Sequence, residues 1–120
     1  MDHCVFCQIA RRERRAAVLY QDDLVTAFED LHPIAPVHFL VVPNYHIISV
    51  NEVTGADEGV LGRMVTVARK LAQEKGVQTS GYRLVMNTGP DAGQSVFHLH
   101  LHVIGGRKMP FRFEDGTQMR

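Results

Sequence analysis

Apolar residues recur at helical spacing between Thr54 and Gly76, and this segment is the clearest element in the chain. The apolar positions lie three or four residues apart, which is the period of a helix with one buried face. Thr54 and Asp57 favour a helix start, and Gly76 favours a helix end. The pattern predicts one long amphipathic helix, whose apolar face contains Val60, Leu61, Met64, Val65, Ala68, Leu71 and Ala72.

Elsewhere the apolar residues alternate with polar ones or form short runs, which indicates β-strands. The predicted strands are 37–42, 83–86 and 97–104, with weaker candidates at 17–20 and 25–28. Short strands around one long helix predict an α+β domain, in which the helix covers one face of a mostly antiparallel sheet. The other face of the sheet is then available for a site.

The length and charge of the chain limit its possible partners. A chain of 120 residues predicts one domain over 1–120. Lys plus Arg and Asp plus Glu both number 13, without the basic excess of nucleic-acid-binding proteins, so we expect a small-molecule partner and no nucleic acid. The sequence has neither a long apolar run nor an export signal, so we expect a cytoplasmic protein without a membrane partner.

Three histidines alternate with apolar residues in the predicted strand 97–104. Alternation on a strand places His98, His100 and His102 on one face and the apolar residues on the other. His98 and His102 would lie about 13 Å apart, too far to share one metal ion, although neighbouring pairs remain possible. The alternative is a solvated strand with incidental histidines.

A glycine-punctuated loop, 87–95, directly precedes the histidines. Its amides and polar side chains are suited to surround a phosphate. Phosphoryl chemistry needs donors for negative charge beside an in-line nucleophile, which the combination of loop and histidines supplies. At the other end of the chain, the spacing of Cys4 and Cys7 is typical of a metal or redox pair, or they are small buried thiols.

The segment 93–103 resembles the His-x-His-x-His signature of the histidine-triad family, in particular its Hint-type phosphoramidase branch. Further matching segments are 4–7, 28–30, 36–43, 81–83 and 105–107. The resemblance implies a five-stranded mostly antiparallel sheet with one long helix and a short N-terminal helix. It also implies a homodimer in which two such sheets join.

The resemblance implies a hydrolase of purine nucleoside 5'-monophosphate conjugates, either phosphoramidates of AMP or GMP or aminoacyl adenylates. His100 would attack the phosphorus, supported by His38, and water would then release the nucleotide. By the same matching, the residues around the phosphate are Asn87, Gln94, Ser95 and His102, with Ser95 also near the leaving group. No catalytic metal is implied. Alternatively, His38 is an incidental histidine at the start of its strand.

The same resemblance assigns Asp30 to the ribose hydroxyls, although Asp30 also suits the capping of a turn before Pro33. The purine slot would be formed by Phe6, Ile9, Phe28 and Leu31, which are equally suited to a core. Two alternative functions stay open. One is hydrolysis of a dinucleoside polyphosphate, and the other is a nucleotide-binding adaptor with incidental hydrolysis.

By resemblance to metal-containing relatives, a structural Zn²⁺ would be bound by Cys4, Cys7, His46 and His98. Two thiolates and two imidazoles complete a tetrahedral site and leave no position for a catalytic water. The alternative leaves the cysteines as buried thiols and His46 as a loop residue. The tail at about 108–120 departs from the ending of some relatives, which leaves the preferred leaving group open.

Overall fold

The structure, a computed structural model, describes residues 3–110 as a five-stranded antiparallel sheet with two helices. The strand order is β1-β2-β3-β5-β4. This confirms the predicted α+β architecture, and the predicted tail is described only as far as Pro110. The elements are α1 (Val5–Ala10), β1 (Val18–Gln21), β2 (Val25–Glu29), β3 (Val37–Pro43), α2 (Glu58–Glu74), β4 (Tyr82–Val85) and β5 (Leu101–Gly105).

The long helix begins where the sequence pattern predicted it. Thr54 and Asp57 form a capping box around a 3₁₀ turn, Gly55–Asp57, and α2 continues from this turn. The helix ends before Gly76, whose φ of +80° is a conformation that glycine adopts without steric cost. Neither helix in the described part of the chain is long and apolar enough to cross a membrane.

The two faces of the sheet carry two separate apolar clusters. On one face α2 packs across β2, β3 and β5 and forms the larger core, around Phe39, Met64 and Leu71. On the other face α1 covers a smaller cluster, which consists of Phe6, Ile9, Phe28, Leu40 and Val42. Because side chains alternate along a strand, β3 contributes to both cores. His98 and His100 lie beside the smaller core, because both rings contact Phe6.

The prediction of a strand from Phe97 was wrong at its start, because β5 begins only at Leu101. The preceding residues bond to the segment after β3 instead of continuing the sheet. The N–H of Leu99 donates to the carbonyl of Ile47 at 2.6 Å. The predicted division of sides nevertheless persists, because Leu99, Leu101 and Val103 enter the larger core while the three histidines do not.

Candidate active site

The register of β3 and β5 brings two buried histidines together. Leu40 pairs with His102, and His38 pairs with Ile104, so the two histidines are diagonal neighbours on one face. His38 Nε2 lies 2.9 Å from His102 Nδ1. Both residues are buried, at 4% and 0% exposure. The two imidazoles therefore form a direct hydrogen bond inside the protein.

A backbone group determines where the protons of this pair reside. The N–H of Ile34 donates to His38 Nδ1 at 3.1 Å, so Nδ1 is an acceptor and the proton of a neutral His38 is on Nε2. His38 Nε2 then donates to His102 Nδ1, which places the proton of His102 on its own Nε2. The chain of bonds thus makes His102 Nε2 a donor.

Asp30 lies beside the same pair. Its Oδ2 is 3.3 Å from His38 Nε2, and its side chain is 3% exposed. Its Oδ1 accepts the N–H of His32 at 2.8 Å, so Asp30 also holds the turn after β2, as its alternative interpretation predicted. We refer to Asp30, His38 and His102 as the relay cluster.

His100 lies between two groups of polar residues and has a defined tautomer. Its Nδ1 donates to the carbonyl of His98 at 2.7 Å, which leaves the lone pair of the neutral ring on Nε2. The Phe6 ring meets the imidazole edge-on, with centroids 5.2 Å apart. The centroid of the His102 ring lies 5.1 Å from the centroid of the His100 ring. His100 thus presents an oriented ring nitrogen with a lone pair beside the donor of the relay cluster, an arrangement that suits a nucleophile.

Four potential metal ligands converge on the other side of His100. Cys4 Sγ is 3.2 Å from His98 Nδ1, and Cys7 Sγ is 3.3 Å from His46 Nδ1 and 3.4 Å from His98 Nδ1. All four ligand atoms lie within 4.8 Å of one another. In tetrahedral zinc with these ligands, neighbouring sulfur and nitrogen atoms are about 3.5 Å apart. We refer to Cys4, Cys7, His46 and His98 as the metal cluster.

The protonation of His98 suits a metal ligand. Its Nε2 donates to the carbonyl of Pro43 at 2.9 Å, so the lone pair on Nδ1 faces the sulfurs. Burial lowers the pKa of His98 to about 4, which keeps the ring neutral at pH 7. Burial and the neighbouring Cys4 raise the pKa of the Cys7 thiol to about 11, so metal binding must release the proton of this thiol.

The relay cluster has a similar spacing of ligand atoms but the wrong tautomer for a metal. Asp30, His38 and His102 also offer ligand atoms within 4.8 Å of one another. However, His38 Nδ1 accepts an N–H, so Nε2 carries a proton and has no lone pair for an ion. The tautomers therefore suit the metal cluster to an ion better than the relay cluster.

The glycine loop connects β4 with the histidines. Gly89 and Gly93 both have a φ of +83°, which the loop requires and which glycine adopts readily. Asn87 is half-buried at the beginning of the loop, and Ser95 is exposed near its end. Gln94 is buried, and within residues 3–110 its side-chain amide bonds to backbone groups of Gly89, Ile48 and Val96.

The expected purine slot divides into a buried and an exposed part. Phe6, Ile9 and Phe28 are between 2% and 5% exposed and belong to the smaller core, whereas Leu31 is 79% exposed. Because Phe6 also contacts His100, this core extends to that histidine. The structure thus places Phe6, Ile9 and Phe28 in a core, as one of the two interpretations expected, and leaves Leu31 outside it.

The sequence interpretation missed the backbone groups that determine the tautomers. These are the N–H of Ile34 and the carbonyls of Pro43 and His98. No side-chain pattern reveals such groups, because every residue except proline carries the same backbone donor and acceptor. The alternation of histidines predicted a candidate site, but the fold was needed to assign the protons.

Comparisons with known proteins agree with this geometry. Residues 11–109 match the model of the HIT domain family. The chain is 49% identical to the purine nucleoside phosphoramidase of Escherichia coli (strain K12), over 90% of this chain and 91% of that protein. A HIT family hydrolase from Legionella pneumophila Philadelphia 1 superposes with a TM-score of 0.89 and 43% identity, over 91% of this chain and 97% of that one.

A second solved structure bears on the metal cluster. A histidine triad family protein from Mycobacterium smegmatis, described as zinc-bound, has a TM-score of 0.75 and 28% identity to this chain. The similarity covers 99% of this chain and 82% of that one.

Proposed function

Because the chain belongs to the HIT domain family, we propose that it hydrolyses purine nucleoside 5'-phosphoramidates through a nucleotidyl-histidine intermediate. The observation that carries the proposal is the tautomer of His100. Its Nδ1–H is held by the carbonyl of His98, so Nε2 offers a lone pair next to the relay cluster. The similarity to a phosphoramidase supports this class of substrate.

The reaction has two displacement steps at phosphorus. In the first, His100 Nε2 forms a bond to the phosphorus while the P–N bond breaks, and the amine leaves with a proton taken up from solvent. In the second, water attacks the nucleotidyl-imidazole, the N–P bond breaks, and the nucleoside monophosphate is released together with one proton. His102 Nε2–H is the donor to the phosphoryl oxygen during both steps.

The remaining site residues surround the nucleotide in this proposal. Asn87 and Ser95 contact the phosphate from the glycine loop, and Ser95 lies towards the leaving amine. Asp30 accepts hydrogen bonds from the ribose hydroxyls while it contacts His38, since a carboxylate has several acceptor positions. The purine packs against the apolar residues around α1, which are Phe6, Ile9, Phe28 and Leu31.

We infer that the metal cluster binds one structural Zn²⁺. Two thiolates and two imidazoles are a complete tetrahedral set, so the ion would join α1 to the segments that precede β5. The hydrogen bond from His98 to Pro43 is the outer-shell partner that a ligating histidine requires. Thiolate ligands suit a reducing compartment, which favours the cytoplasm.

We also infer a homodimer formed through β4. This strand lies at the end of the sheet order, and its Leu84 is 40% exposed. An exposed strand edge presents unpaired backbone groups that a second copy can bind. Two copies joined at β4 would form one continuous sheet across a two-fold axis.

The test is a comparison of substrates under identical conditions. The purified enzyme is given an AMP-amine conjugate, the matching GMP conjugate and a diadenosine polyphosphate, and kcat/KM is measured for each. The proposal requires kcat/KM for a phosphoramidate to exceed that for the polyphosphate by at least about a hundredfold. A preference for the polyphosphate would replace the proposed substrate class. Binding without turnover of any of the three would indicate an adaptor.

A further inference from the structure

Gln94 ends the glycine loop, and every polar group of its side chain has a backbone partner. Oε1 accepts the N–H of Gly89 at 2.9 Å. Nε2 donates to the carbonyl of Ile48 at 2.8 Å and to that of Val96 at 3.1 Å. The opposite amide orientation would place donor against donor and acceptor against acceptor, so the contacts define the orientation.

This arrangement leaves Gln94 poorly suited to hold a phosphate. A phosphate oxygen needs a hydrogen-bond donor, and a glutamine side chain has two N–H donors in total. Both are directed at carbonyl oxygens inside the protein. The remaining lone pair of Oε1 would repel an anion. Gln94 is 6% exposed. A direct contact with the phosphate would therefore require its side chain to break buried hydrogen bonds.

Two hydrogen bonds between Gln94 and Gly89 close the part of the glycine loop that lies between these residues. The backbone N–H of Gln94 donates to the carbonyl of Gly89 at 3.1 Å, while its side chain accepts the N–H of Gly89. The bond to Ile48 fastens this closed loop to the segment after β3, next to the carbonyl of Ile47 that accepts Leu99 N–H. One buried amide thus connects the loop, this segment and the chain that carries the histidines.

We propose that Gln94 is a positioning residue, which fixes Ser95 and the glycine loop around the phosphate without contacting the phosphate itself. Ser95 is exposed but lies between buried Gln94 and half-buried Val96, so its position depends on their anchoring. The inference rests on the proposed function. It replaces the expectation that Gln94 is a phosphate ligand.

The experiment compares Gln94→Glu and Gln94→Met with the wild type. Gln94→Glu replaces the donor –NH₂ with an oxygen that faces the carbonyls of Ile48 and Val96. Gln94→Met keeps the length of the side chain but removes all three of its hydrogen bonds. A displaced loop should lower kcat by about tenfold to a hundredfold, with a smaller change in KM. Amide hydrogen exchange over 87–96 should become faster, while the Kd for adenosine, which lacks a phosphate, should stay within about twofold.

Thr54→Ala is the matched control, because it removes a side-chain cap at the start of α2 and leaves the three bonds of Gln94 intact. It should lower Tm and leave kcat and exchange over 87–96 unchanged, which separates positioning from general destabilisation. If Gln94→Glu does not fold, Gln94→Met carries the test.

Two results would overturn the inference. One is an unchanged exchange rate over 87–96 in Gln94→Met together with an unchanged kcat. The other is a loss of affinity for AMP, relative to adenosine, without faster exchange, which would indicate a direct phosphate contact. If the wild type turns over no nucleotide conjugate, the proposed function fails, and exchange together with the AMP-to-adenosine affinity ratio still decides the role of Gln94.

Discussion

The relay cluster and the metal cluster flank His100 and have similar ligand spacing, but they differ in one backbone hydrogen bond. At the metal cluster, the far nitrogen of His98 donates to the carbonyl of Pro43, so a lone pair faces the cysteines. At the relay cluster, the far nitrogen of His38 accepts the N–H of Ile34, so a proton faces His102. The backbone partner thus decides which ring nitrogen of each histidine offers a lone pair.

The difference also separates two tasks along one short segment. His98 belongs to the metal cluster, His102 to the relay cluster, and His100 lies between them with its own carbonyl partner. A change on one side should therefore affect turnover, whereas a change on the other should affect metal content and stability. Variants on each side test whether the two tasks are as separate as the hydrogen bonds indicate.

The largest effect is expected at the residue between the clusters. His100→Ala removes the nitrogen that bonds to phosphorus, so kcat should fall by more than about a thousandfold, while the Kd for AMP stays within about tenfold. Rapid quench and mass spectrometry of the wild type should find a nucleotidyl adduct on His100. Retention of most of the activity by the variant would remove the basis for the proposed mechanism.

The second effect concerns the relay cluster alone. His38→Ala removes the donor that faces His102 Nδ1, so the proton of His102 is no longer fixed on Nε2. We expect kcat to fall by about a hundredfold or more. Zinc content, measured by elemental analysis, should equal that of the wild type. His46→Ala is the matched variant from the metal cluster and should show the opposite pattern. A loss of zinc in His38→Ala would show that the clusters are not separate.

The third effect concerns the metal cluster alone. Cys7→Ser removes one of the four ligands, so the variant should purify without zinc and have a Tm lower by about 5 °C or more. Its kcat should stay within about fivefold of the wild type, because the ion has no open position for chemistry. Added zinc should raise the Tm of chelator-treated wild type but not of Cys7→Ser. A chelated wild type that gains no stability from zinc would refute the site.

The sequence predicted α2 and the strands because their signals are local, whereas α1 was implied only by the family resemblance. The helical period and the caps located α2, and short apolar runs located the strands. The first residue of β5 was missed because the chain before it bonds to Ile47, a tertiary contact without a local pattern. Propensity and period describe how a segment can fold, but neighbouring segments decide where its pairing ends.

The sequence predicted the candidate site about as far as it predicted the fold. Side-chain types, spacing and the family resemblance predicted roles for His38 and His100 and a ligand set of Cys4, Cys7, His46 and His98, and the structure brings these residues together. These signals did not show that Gln94 points into the protein, because its partners are backbone groups of residues 48, 89 and 96. Nor did they show that Asp30 caps a turn and contacts His38 at the same time. Such roles depend on which backbone groups face a side chain, and the sequence does not encode that locally.

The smallest effect is expected at a polar cluster that belongs to neither side of the comparison. Asp22, in the turn between β1 and β2, accepts the N–H groups of Leu24 and Val25 and the O–H of Tyr20, and it pairs with Arg63 of α2. Burial raises the pKa of Asp22, but these hydrogen bonds outweigh it and lower the pKa from 3.8 to about 2.

A folded-state pKa below the unfolded value means that Asp22 stabilises the protein above pH 3.8 and that this stability is lost as the pH falls towards about 2. Asp22→Asn should therefore lower Tm by about 3–6 °C at pH 7, and its difference from wild type should shrink between about pH 5 and pH 2. Asp23→Asn is the matched control, because the Asp23 side chain is 88% exposed and should contribute little. Zinc content and kcat should be unchanged at pH 7 in both variants. A difference in Tm that stays constant with pH would show that the charge of Asp22 does not provide this stability.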